Sequence, residues 1–388
     1  MNAPTAERAA PIDFPTQSAA AGARGRVLVL TPRAGGGISQ MMHYLERAVK
    51  DRRHPWRFDF FVTHDRSLRS SICRFPGRLW RFARLCARGD LDLCHINVSC
   101  NGSTVRKSCY AAICRRYGIP YVLHLHGGAY PEYLAHSNPL MRRAIERLFR
   151  SAARVFVLGS TWSAFVRDQI GVPADRIAIL PNAVPARSEP AEVQRADPPL
   201  IVFVGLLHRE KGVDTLLEAL SRLDDPASSW QATLLGGGDV DGYRARIAQL
   251  GLRDRVRAPG WTPPQEVRPV LARASIFVLP SFIENLPMAL LEGMSYGLCP
   301  VVTPVGAVPE VVRQGVSGLI VPVGDSQALA DALRTVLSDR ALMSRLGRAS
   351  QARFKESYDI ATYVDRLMEQ YSLATGSPAR AGHPACAE

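Results

Sequence analysis

No apolar run in the 388-residue chain approaches the roughly 20 residues needed to cross a bilayer. The first 25 residues hold Glu7, Arg8 and Asp13 but no apolar stretch, so no secretory signal is expected there and a cytoplasmic chain is. No C-x-x-C pair occurs among the eight cysteines, and no Cys/His spacing matches a structural zinc site. Six of them (Cys73, Cys86, Cys94, Cys100, Cys109, Cys114) crowd the first half, where reduced, mostly buried thiols are the plain expectation. No G-x-G-x-x-G fingerprint follows the first strand pattern, which argues against a dinucleotide cofactor. Aromatic residues are only 7%, with no recognised RNA- or DNA-binding motif, so nucleic acid is not an expected partner.

What is present is ordinary globular composition: 47% apolar residues and a mean hydropathy of −0.04. At roughly 150 residues per domain, two or three domains are expected. The net charge of +13 is unevenly placed. Residues 1–195 hold 29 Lys and Arg against 14 Asp and Glu, a net of +15, and residues 196–388 hold 19 against 21. The first half therefore expects an anionic partner.

Short β-branched runs alternate with helical patterns along most of the chain. Strands are expected at Arg26–Leu30, Phe58–Val62, Leu91–Val98, Tyr121–Leu125 and Val155–Leu158. In the second half they fall at Leu200–Val204, Ala232–Leu235, Ile276–Leu279, Val301–Thr303 and Leu319–Val321. Repeated βα units imply an α/β fold with parallel sheets covered on both faces. Pro185, Pro190, Pro198 and Pro199 mark a linker within residues 183–199. The expected organisation is two doubly wound, Rossmann-like domains, 26–190 and 196–357, facing across a cleft. A helix at about 358–375 crosses back onto the first domain, and loose tails occupy 1–25 and 376–388.

In such sheets ligands bind beyond the carboxyl ends of the strands. There the chain places Gly35-Gly36-Gly37, His126-Gly127-Gly128, Ser160, Gly205 to Gly212, Gly236-Gly237-Gly238 and Pro280 to Glu284. Pro287 suits a first helical turn, so Asn285, Leu286, Pro287 and Met288 are expected to form a helix N-terminus favouring an anion. In a continuous helix Glu284 and Glu292 would lie about 12 Å apart along the axis. That exceeds the roughly 5 to 9.5 Å of a glycoside hydrolase pair, so the two suit holding hydroxyls at two points of an extended ligand.

The run E-N-L-P-M-A-L-L-E (284–292) resembles the E-x7-E pattern of retaining, nucleotide-sugar-dependent glycosyltransferases of the GT-B fold, family 4. H-L-H-G-G, I-L-P-N-A, F-V-G-L-L-H-R-E-K-G-V-D-T-L-L, L-L-G-G-G, R-A-P-G-W and V-G-A-V-P-E-V-V occur in that family's order, and the likeness covers most of residues 26–375. It implies roles residue by residue. Glu284 would bind the donor sugar, Glu292 the ribose and Lys211 the diphosphate, with His126 beside the reacting carbon. Amides of Asn285 to Met288 and of Gly36 and Gly37 would support phosphate or acceptor, and Gly237 and Trp261 would line the base pocket. The family's phosphate turn reads G-R-L where this chain has Gly205-Leu206-Leu207; Arg209 or Arg33 would replace the missing cation. The resemblance implies front-side displacement, with no cofactor and no catalytic metal. The alternatives are a related nucleotide-sugar epimerase sharing the cleft and a glycosyltransferase with a soluble acceptor.

The acceptor side is the basic domain. Residues 77–88 place Arg78, Arg81, Arg84 and Arg88 on one helical arc of about 120°, with Leu79, Phe82, Ala83 and Cys86 opposite and Trp80 at the border. Arg66, Arg69 and Arg74 lie just upstream. A basic amphipathic helix can lie on anionic lipid, or simply present a solvated face. N-G-S-T-V-R-K-S (101–108) with H-L-H-G-G resembles enzymes of bacterial exopolysaccharide assembly. The expectation is a peripheral enzyme at the cytoplasmic face of the inner membrane, with a polyprenyl-diphosphate-linked saccharide as acceptor.

Overall fold

A computed structural model describes residues 25–32, 36–52, 54–65, 68–186, 195–223 and 229–376. The expected tails therefore lie, apart from Gly25 and Gly376, outside the described residues, as do Arg33, Gly35 and Arg66 and the side chain of Arg69.

The central strands are mostly apolar because both their faces are covered. In β3 (Leu93–Val98) and β4 (Tyr121–Leu125) every residue is buried. With β1 (Gly25–Thr31), β2 (Trp56–Val62), β5 (Arg154–Val157) and β6 (Ile177–Ile179) they form a parallel sheet in the order β2-β1-β3-β4-β5-β6. Its helices are α1 (Gly37–Lys50), α2 (Leu68–Ala87), α3 (Gly102–Arg116), α4 (Tyr130–Ala135), α5 (Pro139–Arg150) and α6 (Ser160–Phe165).

The second sheet holds β7 (Leu200–Val204), β8 (Gln231–Leu235), β9 (Val256–Gly260), β10 (Ile276–Leu279), β11 (Cys299–Val302) and β12 (Leu319–Ile320). They run parallel in the order β12-β11-β10-β7-β8-β9. Around it lie α7 (Val213–Ser221), α8 (Val240–Gln249), α9 (Pro264–Arg273), α10 (Met288–Ser295), α11 (Val308–Val311), α12 (Ser326–Ser338) and α13 (Arg340–Ser357). Asp239, Asp325 and Asp339 accept backbone N–H bonds at the starts of α8, α12 and α13, satisfying donors that a helix leaves free.

Each sheet reverses its winding direction once, between β1 and β3 in the first and between β7 and β10 in the second. Such a switch opens a crevice at the carboxyl ends of its strands. The final helix α14 (Ile360–Thr375) packs on the first domain. Ile360 N donates to Val184 O (3.0 Å), and the buried Tyr371 ring meets Trp56 edge-on at 5.6 Å. One continuous apolar core therefore joins α1 and α14 to the whole second sheet, while a second fills the other face of the first.

Two strands escape the sequence reading, and both are edges. β6 is three residues long. β9 alternates buried and exposed residues and contains Pro259, which an edge strand tolerates. Four of the five residues of R-A-P-G-W lie in β9.

Candidate active site

The two switch points face each other across a cleft of about 1050 Å³. Gly36, Gly37, His126, Gly128 and Asn182 line it from the first domain; Gly205, Lys211, Glu284 to Met288 and Glu292 line it from the second.

Glu284 stands in the loop between β10 and α10. Its Oε1 accepts from Lys211 Nζ at 2.6 Å and from Ser281 Oγ at 2.9 Å, so two loops of the second sheet are tied at one carboxylate. Only a glycine fits at 306: its φ is +58°, and a Cβ there would lie 2.4 Å from the carbonyl oxygens of Glu284 and Asn285. Ala307 N donates to Asn285 O at 2.7 Å and holds the same turn.

The helix N-terminus expected at Asn285 begins later. Pro287 is the extended residue before α10 (φ −71°, ψ 125°), not part of its first turn. The free amides therefore start at Met288, and those of Asn285 and Leu286 belong to the loop. Glu292 sits inside the helix, largely shielded from solvent. It accepts a 2.8 Å hydrogen bond from the Tyr44 hydroxyl of the facing domain. Burial pushes its carboxyl above the usual range, with Tyr44 and Arg268 opposing the shift. The two glutamates thus have separate partners, as two contact points on an extended ligand require.

His126 projects from the end of β4. Its Nε2 lies 2.8 Å from Asn97 Oδ1. Asn97 is buried, and its Nδ2 donates to Leu30 O at 3.0 Å, which fixes the amide's orientation. The proton therefore resides on Nε2, and Nδ1 keeps its lone pair. Burial pushes the imidazole down to about 3, so the ring is neutral at physiological pH. Across the cleft Gly128 approaches the Glu284–Asn285 peptide so closely that a Cβ would lie 3.0 Å from it. Asn182 Nδ2 donates to Leu286 O at 2.8 Å. Asn182 Oδ1 and both amide atoms of Asn285 are buried without a hydrogen-bond partner, and a polyhydroxylated ligand in the cleft would satisfy them.

Three expected donor-site residues stand off the cleft. Arg209 is exposed in the turn before α7 and does not line the cavity. Arg268 of α9, unmarked in the sequence, lines the cleft near Glu292. Gly237 and Trp261 neighbour each other (3.8 Å from a built Cβ to Trp261 Cβ), but Trp261 is 72% exposed outside the cavity. Leu206, standing where the family has Arg, is 59% exposed and does line it.

The basic helix needs a correction too. Arg78 is half-buried, with Nη2 2.7 Å from Asp65 Oδ2 and Nη1 3.5 Å from Thr63 O, so it leaves the exposed face. Trp80 (60% exposed), Arg81, Arg84 and Arg88 remain on it, with the Arg84 guanidinium 4.8 Å from the Trp80 ring centre. Phe82 and Cys86 are buried as the pattern requires.

Asp-x-Asp is a spacing able to hold a divalent cation, and the chain has two such runs. Both serve structure. Asp90 and Asp92 bind Arg26; Asp239 caps α8, and Asp241 pairs with Arg244. Among the described residues no three His, Cys, Asp or Glu side chains gather as a metal site, and no helix is long and apolar enough to cross a membrane.

Tyr44, Asn97, Asn182 and Arg268 are the residues the sequence did not mark. Tyr44 falls among the apolar positions of an amphipathic helix, where an aromatic signals core. Asn182 lies inside I-L-P-N-A, the one hint available.

Two family profiles match the chain: a glycosyl transferase 4-like domain over residues 16–183 and a glycosyl transferases group 1 domain over residues 186–353. The chain is 26% identical to the alpha-D-kanosaminyltransferase of Streptomyces kanamyceticus, over 71% of this chain and 76% of that protein. It is 32% identical to the colanic acid biosynthesis glycosyltransferase WcaL of Escherichia coli K12 over 52% of this chain, and spans about half (51%) of that relative. The crystal structure of Anabaena Alr3699/HepE in complex with UDP has a TM-score of 0.73 at 19% identity, covering 90% of this chain and 99% of that one. The lipopolysaccharide outer core galactosyltransferase WaaB, in its apo form, has a TM-score of 0.65 at 18% identity over 90% of this chain and 98% of that one. At these identities the structural likeness speaks for the fold, two Rossmann-like halves in the GT-B arrangement. The two profiles together take in most of the sequence, and the chain belongs to the group 1 glycosyltransferases.

Proposed function

We propose that the chain moves a hexose from a UDP- or GDP-sugar to a lipid-linked saccharide, with retention at the anomeric carbon, in the assembly of a cell-surface polysaccharide. The observation that carries this reading is the Lys211–Glu284 pair at the second switch point, beside the free amides of α10. A cation with a helix N-terminus suits a diphosphate, and a carboxylate next to them suits sugar hydroxyls.

The departing charge sets the chemistry. As the anomeric C–O bond lengthens, negative charge grows on the diphosphate, and the Lys211 ammonium and the Met288 and Ala289 amides stabilise it. Glu284 releases Lys211 to the phosphate and takes the donor sugar. Glu292 holds the ribose, sharing its carboxylate with Tyr44, and His126 presents Nδ1 to the sugar. The acceptor hydroxyl attacks from the face the leaving group vacates, and its proton passes to the departing phosphate oxygen. Most of the catalysis is thus complementarity to the separating diphosphate.

The UDP complex of Alr3699/HepE supports a uridine donor, and the colanic acid name of WcaL supports a polysaccharide product. The likeness to the 2-deoxystreptamine glucosyltransferase of Streptomyces kanamyceticus (26% identical over 68% of this chain and 73% of that protein) favours a second reading, a soluble acceptor. Incubating the chain with UDP- and GDP-sugars and a membrane lipid extract tests both. Label in the lipid phase upholds the first reading, label on a soluble aminocyclitol the second. Free nucleotide released at equal rate without acceptor points to an epimerase.

A further inference from the structure

We propose that the corner between β2, α2 and α3 binds an anionic group of the acceptor, a phosphate or diphosphate; this rests on the glycosyltransferase reading above and adds a site to it. The corner is built around Thr63, fully buried just beyond the carboxyl end of β2. Three basic side chains converge there from three elements. Lys107 of α3 donates to Thr63 Oγ1 at 2.6 Å, Arg78 of α2 reaches Thr63 O at 3.5 Å, and His64 Nδ1 lies 3.1 Å from Thr63 Oγ1.

Charge there is unbalanced. Among the described residues Asp65 is the one carboxylate bearing on His64, and Arg78 and Arg74 already bind it at 2.7 and 3.4 Å. Arg106 adds a guanidinium whose Nε is buried without a partner. Its Nη1 lies over the first turn of α3, 3.1 Å from where a Cβ at Gly102 would be.

Lys107 is the anomaly that needs a reason. It is 1% exposed and forms no ion pair among the described residues; its other neighbour is the Tyr110 ring, 5.7 Å away. Lysines are almost never so buried unless paired. Phe82, Phe75 and Tyr110 pack around the same corner, where an aliphatic residue would be the cheaper filler. Burial and Arg106 together push the amine down to about 7, with Cys94 opposing weakly, and burial, Lys107, Arg106 and Arg78 push His64 down to about 4. An anion seated on Arg78 and Arg106 reverses that field and restores the ammonium. The corner also lies at the carboxyl edge of the basic domain's sheet, where doubly wound folds take ligands.

Calorimetry with inorganic pyrophosphate tests the site, on the full chain with UDP and GDP both present to fill the donor cleft. Wild type binds pyrophosphate, and Lys107→Met and Arg106→Met each weaken it by about tenfold or more. Slightly above neutral pH, wild type takes up a proton on binding that Lys107→Met does not. Lys107→Met unfolds at the same or a higher temperature, since the thioether fills the stem's space. Acceptor-free release of nucleotide is unchanged in both variants. Farnesyl diphosphate in a parallel titration identifies the source: tighter binding than pyrophosphate assigns the site to a lipid-linked acceptor, equal binding to a soluble phosphorylated one, and both uphold it. No binding to wild type, or equal binding to both variants, overturns the proposal. Failure of wild type to consume any nucleotide-sugar would instead sink the transferase reading, and leaves the pyrophosphate result to be judged alone.

Discussion

His126 meets the cleft as a neutral ring whose proton is fixed by Asn97 and not by solvent. His126→Ala is expected to lower kcat by about 10²-fold, the scale of one lost polar contact at a transition state, with donor KM nearly unchanged. Asn97→Leu strands the Nε2–H and costs about 1–3 kcal/mol of stability, read by denaturant unfolding. Behind His126 stand His124 and His95, both fully buried, with ring centres 4.1 and 5.5 Å apart along the row. Burial holds His95 down to about 3 and His124 well below its usual 6.5. Between those values the unfolded chain binds protons that the folded chain refuses. Stability is therefore full above pH 6.5 and falls as the pH drops below it, by about 1.4 kcal/mol per pH unit for each ring. Denaturant midpoints between pH 4 and 7 should show that slope, and His124→Phe should lessen it by one ring's share while His95 and His126 keep the rest; a flat wild-type profile would contradict the burial.

At the scale of elements, the strands buried on both faces were legible because parallel sheets demand unbroken apolar runs. The edges β6 and β9 were not, since one open face relaxes that demand. Glu284 was marked by its place before a helix and Lys211 by the family resemblance, yet their 2.6 Å contact comes only from folding. The Tyr44–Glu292 bond joins residues 248 apart in sequence, so no local pattern announces it. Pro287 misled by one position, because proline suits both the residue before a helix and its first turn. The Glu284–Asn285 turn depends on an element with no polar chemistry of its own, the glycine at 306. Gly306→Ala is expected to displace that turn and cut turnover by about 10²-fold, the penalty of a misplacement near 1 Å. Gly315→Ala, at φ +70° with nothing near its built Cβ, is the control and should cost only about 1–3 kcal/mol of backbone strain with turnover kept. Equal activity loss in both would sink the claim.

For the whole molecule, two groups of the first domain's basic residues stand apart. One is interior and surrounds Thr63; the other is the exposed face of Trp80, Arg81, Arg84 and Arg88. Near anionic lipid each basic residue contributes about 1 kcal/mol. Replacing Arg81, Arg84 and Arg88 with Ser should therefore weaken flotation with phosphatidylglycerol vesicles by roughly a hundredfold, leaving turnover of a detergent-dispersed acceptor intact. Flotation indifferent to anionic lipid would end the membrane proposal.

The halves are tied across the cleft by Tyr44 to Glu292, Asn182 to Leu286 O and Ser160 to Glu310 (Oγ to Oε1, 2.8 Å). The site is thus assembled by both domains, whereas the proposed reaction has the departing diphosphate met by one. Nucleotide release by Lys211→Ala, with the preferred sugar nucleotide and the lipid extract, asks the most of that claim. Loss of the ammonium should lower kcat by about 10²–10³-fold in a protein that still folds. Turnover near the wild-type rate would contradict it.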